Sequence, residues 1–74
     1  MLIYSEKEQL AVSLNNPFYI SIDYNAEQKV YEILVYPEHL GYFTVYSSSS
    51  RKKCKDMFLS ILNAYEEGVK VFYI

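Results

Sequence analysis

The stretch Ser47-Ser48-Ser49-Ser50-Arg51-Lys52-Lys53-Cys54-Lys55 gathers four hydroxyls and four cations within nine residues. Hydroxyls, cations and the free backbone N–H groups of a helix start together resemble a seat for phosphate or another anion. Cations in a first helical turn oppose the helix dipole, at a cost of about a few tenths of a kcal/mol each when exposed. A phosphate, a nucleotide or an acidic partner segment would offset that cost. The candidate anion-binding residues are Ser47, Ser48, Ser49, Arg51, Lys52 and Lys55. The plainer reading carries more weight: Lys52, Lys53, Asp56, Ser60, Asn63 and Glu67 fall on one outward helix face, as solvated charge does.

Two further residues could do chemistry. Cys54 sits near a helix start between Lys53 and Lys55, where a thiolate is favoured, yet it also lies on the apolar stripe of that helix and reads as a buried structural thiol. His39 is the sole imidazole, beside Glu38 in a loop from Pro37 to Gly41, and reads as a surface residue. There is no Gly-rich phosphate loop, nucleophile elbow or metal-ligand spacing. The carboxylates are scattered over turns, strands and helix. A chain this small can hardly enclose a pocket of typical size. The expectation is a non-enzymatic protein with no cofactor and no metal site of its own.

Tyrosine is the other unusual feature. There are nine Tyr and four Phe but no Trp, making 18% aromatic residues. Phe18, Ile20, Ile22 and Tyr24 alternate with Tyr19, Ser21 and Asp23, so the two sets point to opposite faces of a strand. Tyr31, Ile33 and Val35 form the inward set of the next strand, as do Phe43 and Val45 of the one after. The opposite face then carries Tyr19, Val30, Leu34, Tyr36, Tyr42 and Tyr46, where a solvated sheet face would be polar. An apolar patch of this kind marks an interaction surface, and Tyr suits one through its large apolar body, polar tip and few rotors. These six residues are the candidate protein interface. Two plainer readings compete: Tyr is simply a good strand former with its hydroxyl in water, or the chain's own termini fold over this face.

The elements that must position these residues follow from period and turn chemistry. Strands are expected at Leu2-Ile3-Tyr4, Leu10 to Leu14, Phe18 to Tyr24, Lys29 to Tyr36 and Tyr42 to Tyr46, with a break at Asn15-Asn16-Pro17 and a hairpin turn at Asn25 to Gln28. Cys54, Phe58, Ile61, Leu62 and Tyr65 fall at i, i+4, i+7, i+8 and i+11, which predicts a helix over about residues 49–67 with Ser48 as N-cap. Gly68 supplies the left-handed residue that ends it, and Val69 to Ile74 reads as a last strand. The fold class is therefore α+β. A single antiparallel sheet of about four to six short strands carries one helix on one face, and its other face is uncovered.

Composition sets the bounds. The chain has 74 residues with 51% hydrophobic and 22% charged, one compact domain's worth, and a net charge of -2 that argues against nucleic-acid binding through bulk charge. A domain this short buries only roughly 60% of its unfolded surface and commonly needs a staple. One cysteine cannot form an internal disulfide, and one His with one Cys cannot complete a structural zinc site, so self-association or a partner remains. No run approaches the ~20 apolar residues that span a bilayer, and the N-terminal apolar stretch is too short for a signal-peptide core. The expectation is a soluble cytoplasmic protein with no membrane partner.

Tyr46-Ser47-Ser48 opening a helix, Ala64-Tyr65-Glu66 near its end, then Gly68 and a terminal Val71-Phe72-Tyr73 form a pattern, to which the opening Met1-Leu2-Ile3 adds a short strand. With it the second half of the chain resembles a family of small uncharacterised phage and prophage proteins of Gram-positive bacteria. That family places acidic residues after the paired serines, whereas this helix opens with Ser49-Ser50-Arg51-Lys52-Lys53. The resemblance implies a mobile-element accessory protein in the cytoplasm of a bacterial host, where proteins of this size often inhibit a host protein or capture a host signal.

Three functional expectations result. The first is a protein-interaction module that self-associates through the Tyr-rich face and, in a phage setting, inhibits a host defence or regulatory protein. The second is a binder of a small phosphate-containing ligand such as a signalling nucleotide. The third, single-stranded nucleic-acid binding on the aromatic sheet, ranks last, because Asp23 and Glu32 share that face and few lysines do.

Overall fold

Two hairpins, a helix and a terminal strand build the molecule, seen here in a computed structural model that describes residues 1–15, 18–37 and 41–74. The strands are β1 (Leu2–Ser5), β2 (Leu10–Ser13), β3 (Phe18–Asn25), β4 (Val30–Pro37), β5 (Phe43–Ser48) and β6 (Val71–Tyr73), with the helix α1 (Arg51–Glu66) before the last of them. The break assigned to Asn15-Asn16-Pro17 and the loop role of His39 fall partly or wholly on Asn16, Pro17, Glu38, His39 and Leu40, which lie outside the described residues.

Each hairpin closes on a four-residue turn whose last residue is left-handed: Gln9 at φ 54° and Lys29 at φ 56°. Neither is glycine, so each position carries local strain. In the second turn the Asn25 Oδ1 accepts from the Glu27 and Gln28 backbone N–H groups, both at 3.1 Å, which sets the chain reversal.

The α+β class, the single helix and the C-terminal strand are as the sequence indicates. The six strands divide between two three-stranded sheets, ordered β2-β1-β6 and β3-β4-β5. The first is mixed, since β6 adds parallel to β1 while β2 pairs antiparallel. The second is antiparallel throughout. The sheets meet where β1 lies beside β5, and there the buried Ser5 hydroxyl donates to the Val45 carbonyl at 2.8 Å. A side chain thus makes the link that a backbone ladder would make within one sheet.

Both sheets turn one face to a shared core of Ile3, Val12, Leu14, Ile33, Val35, Val45, Cys54 and Ile61. Helix α1 covers this face of the β3-β4-β5 sheet, with Cys54 and Ile61 fully buried and Phe58 and Tyr65 half-buried along the expected stripe, and Ala64 buried beside them. The Tyr65 ring meets Phe18 edge-on at 4.9 Å, which fixes the Phe18 side of β3 as the helix side.

The helix start differs from the expected one. Ser50, not Ser48, is the N-cap: its backbone is extended and its Oγ accepts from the Lys53 N–H at 3.2 Å. The Ser48 Oγ instead accepts from the Ser50 N–H at 3.1 Å, shaping the approach to the helix. Four consecutive serines offer equivalent oxygens, and the pairing of Ser48 with Tyr31 holds Ser48 in β5. At the other end Gly68, at φ 78°, donates to the Tyr65 carbonyl at 3.2 Å and Val69 donates to Ala64 at 3.0 Å, closing the last turn as expected.

Candidate functional site

The face of β3-β4-β5 away from the helix carries a row of tyrosines. Tyr19 and Tyr36 are register partners, their rings edge-on at 5.3 Å. Tyr42, just before β5, continues the row at 5.6 Å from Tyr36. Tyr19 is 64% and Tyr42 60% exposed, and Tyr36 between them is half-buried. Cross-strand aromatic pairs on a pleated face pack their rings in this way and leave the outer edges and hydroxyls in water. So three of the six expected interface residues come together in the expected place.

The other three do not join the row. Tyr46 was expected on this face and lies on the other. Ile33 pairs with Tyr46 but Leu34 with Thr44, so Val45 is the extra residue of a β-bulge. One inserted residue reverses the alternation beyond it and turns Tyr46 against the core. Leu34 does point to the outer face, opposite Ser21 and Thr44, but it is only 6% exposed and offers a partner almost nothing. Beside it the Ser21 Oγ is buried with no hydrogen-bond partner among the described residues. Val30 lies at the far end of β4, opposite Asn25, about 20 Å along the strand from Tyr36 and beyond the acidic pair Asp23 and Glu32.

The expected anion seat is also redistributed. The Ser48 and Ser50 hydroxyls accept backbone N–H groups, Ser47 lies opposite Glu32 on the outer face, and Ser49 is exposed. Lys52 is paired with Asp56 at 3.0 Å, one turn on along the solvent face. That leaves Arg51 and Lys55, which line the same cleft of about 410 Å³.

This cleft lies where the helix start overhangs the hairpin end of β3 and β4. Its aromatic wall is Tyr24 and Tyr31, register partners with ring centroids 4.9 Å apart. Ile22, Phe58 and Leu59 complete the apolar lining, and Asp23 contributes to the rim. Tyr24 and Tyr31 were expected to be inward core residues. They are on the inward face, but at the end of the sheet, where the helix covers them incompletely and Tyr24 is 54% exposed. The pairing of Tyr31 with Ser48, three residues before Arg51, brings the cations to these rings.

Cys54 is fully buried, and desolvation pushes its thiol up, with the negative charge of Glu32 acting in the same direction. Burial and the raised value both disfavour the thiolate. Among the described residues no three His, Cys, Asp or Glu side chains are placed to hold a metal ion, and no helix is long and apolar enough to cross a membrane. Compared with known proteins, the chain matches no family model, no curated protein and no solved structure.

Proposed function

We propose that this protein is a non-enzymatic protein-interaction module that associates, first with a second copy of itself, through the Tyr19, Tyr36 and Tyr42 face. The observation that supports the reading is the row itself: three touching rings on the side of the sheet that the helix leaves bare. Tyr36 at its centre has the position of an interface anchor, flanked by rings that exclude water. A tyrosine face fits a partner at low entropic cost, because each ring has few rotors to freeze. In the phage setting implied by the resemblance, the same surface would engage and inhibit a host defence or regulatory protein in the bacterial cytoplasm.

Sedimentation equilibrium tests the reading. The parent chain is expected to sediment above monomer mass at concentrations near 100 μM, a range typical of modest assemblies. Tyr36→Glu is expected to return it to monomer with an unchanged circular dichroism spectrum, and Tyr36→Phe to leave it assembled. Tyr36→Glu is a cleaner probe than a change at buried Leu34, which would strike the sheet. A folded parent that stays monomeric throughout, and binds no bacterial protein through these rings, would sink the proposal.

A further inference from the structure

We propose that the cleft between the helix start and the β3–β4 hairpin end binds a small planar aromatic compound bearing one phosphate, of about the size of a nucleoside monophosphate. The volume of about 410 Å³ lies within the range of small-molecule sites, roughly 300–1,000 Å³. Its walls are apolar and aromatic without being consumed by packing: Tyr24 is half open and Leu59, on the facing helix, is 47% exposed. A planar ring would cover both, and stacking on tyrosine is indifferent to which ring it is.

The charges select the second half of the ligand. Arg51 and Lys55 stand one helical turn apart, so their side chains leave the same helix face. Among the described residues the ion pair of this helix is Lys52 with Asp56, and neither Arg51 nor Lys55 has such a partner. Like charges at this spacing repel, and Arg51 in the first turn also opposes the helix dipole. A phosphate dianion answers both, since a guanidinium and an ammonium can each donate to its oxygens. Asp23 alternates to the outer face of the sheet, where with Glu32 it opposes a chain of repeated charges running beyond the cleft. Two cations suit a single phosphate better than a nucleic-acid strand. The backbone N–H groups of the helix start are not needed, as Ser50 already caps it.

The site is separate from the Tyr19, Tyr36 and Tyr42 row, so either proposal can fail alone. The test is titration by protein NMR with adenosine 5′-monophosphate, phenyl phosphate, adenosine and inorganic phosphate as probes. Adenosine monophosphate is expected to saturate below ~1 mM and shift Tyr24 and Tyr31 resonances, with adenosine and inorganic phosphate at least tenfold weaker. Phenyl phosphate binding as tightly would assign the site to aryl phosphates in general; binding tenfold weaker would assign it to nucleotides. Arg51→Glu with Lys55→Glu is expected to weaken binding at least tenfold, whereas Lys52→Glu and Tyr36→Glu leave it unchanged. Circular dichroism and thermal unfolding of the double variant, expected to match the parent, separate a loss of binding from unfolding. No saturable binding of either aromatic phosphate by about 10 mM, tenfold above the expected limit, would overturn the proposal. So would a charge-reversed variant that binds as the parent does, or an oligothymidylate that outcompetes the mononucleotide.

Discussion

The same two strands carry two tyrosine groups, and their neighbours set them apart. Tyr19 and Tyr36 pair at one end of β3 and β4, on the outer face. Tyr24 and Tyr31 pair at the other, about 17 Å along and on the helix side, since five residues of strand carry a side chain to the opposite face. The ring geometries are alike, with centroids 5.3 and 4.9 Å apart. The first group has another tyrosine, Tyr42, beside it. The second has Arg51 and Lys55 and a cavity. An aromatic pair across strands is thus a structural unit that the surroundings convert to different uses, a broad contact face in one case and one wall of a cleft in the other.

Several changes would break or sharpen this contrast. The largest effect is expected at Ile33, fully buried between the two groups on β4. Ile33→Ala removes packing from the shared core and should cost about 2–5 kcal/mol in urea unfolding, loosening both groups together. Next come the rings themselves. Tyr36→Ala loses two ring contacts and Tyr24→Ala one. At about 0.5–1.5 kcal/mol per aromatic pair, Tyr36→Ala should destabilise the monomer roughly twice as much, as thermal unfolding at low protein concentration would show. Equal losses would mean the row is no more connected than the pair.

The cleft's own frame is tested at the cap. Ser50→Ala removes the oxygen that accepts the Lys53 N–H and should cost ~1 kcal/mol. The loss should fray the helix start, seen as faster amide exchange at Lys53, and leave the Tyr19 face untouched. Smallest is Arg51→Glu, expected to raise stability by about 0.3–1 kcal/mol at low salt and less at high salt, because it reverses a charge that opposes the helix dipole. A loss of stability there would mean that Arg51 has a structural partner and that the cleft is not built for an outside anion.

Much of the architecture was legible in local signals. The alternation of Phe18 to Tyr24 located the helix side of β3, and the stripe from Cys54 to Tyr65 located the buried side of the helix. The outer placement of Tyr19, Tyr36 and Tyr42 followed from the same alternation. The candidate sites were less legible. Tyr46 lay beyond a bulge, and a bulge leaves no mark in the hydrophobic pattern, since Val45 and Tyr46 are both good strand residues. Tyr24 and Tyr31 matched the inward pattern and so read as core, though the end of a sheet can face inward and remain uncovered. Arg51 and Lys55 stood out by charge, but nothing near them in sequence indicated which of the cations would be paired along the helix and which would overhang the rings.

What the sequence determined by itself was the set of elements: side-chain period chooses strand or helix within a few residues, Asn25 acts locally through its side-chain Oδ1, and Gly68 through its left-handed backbone. Tertiary structure alone decided how those elements share surfaces. The division into two sheets, the Ser5 bridge between them, the reversal at Val45 and the meeting of Tyr24 and Tyr31 with Arg51 and Lys55 all depend on pairings across long stretches of chain. Such pairings are settled by which arrangement buries the most apolar surface while satisfying the backbone, a property of the whole molecule that no local window of residues contains.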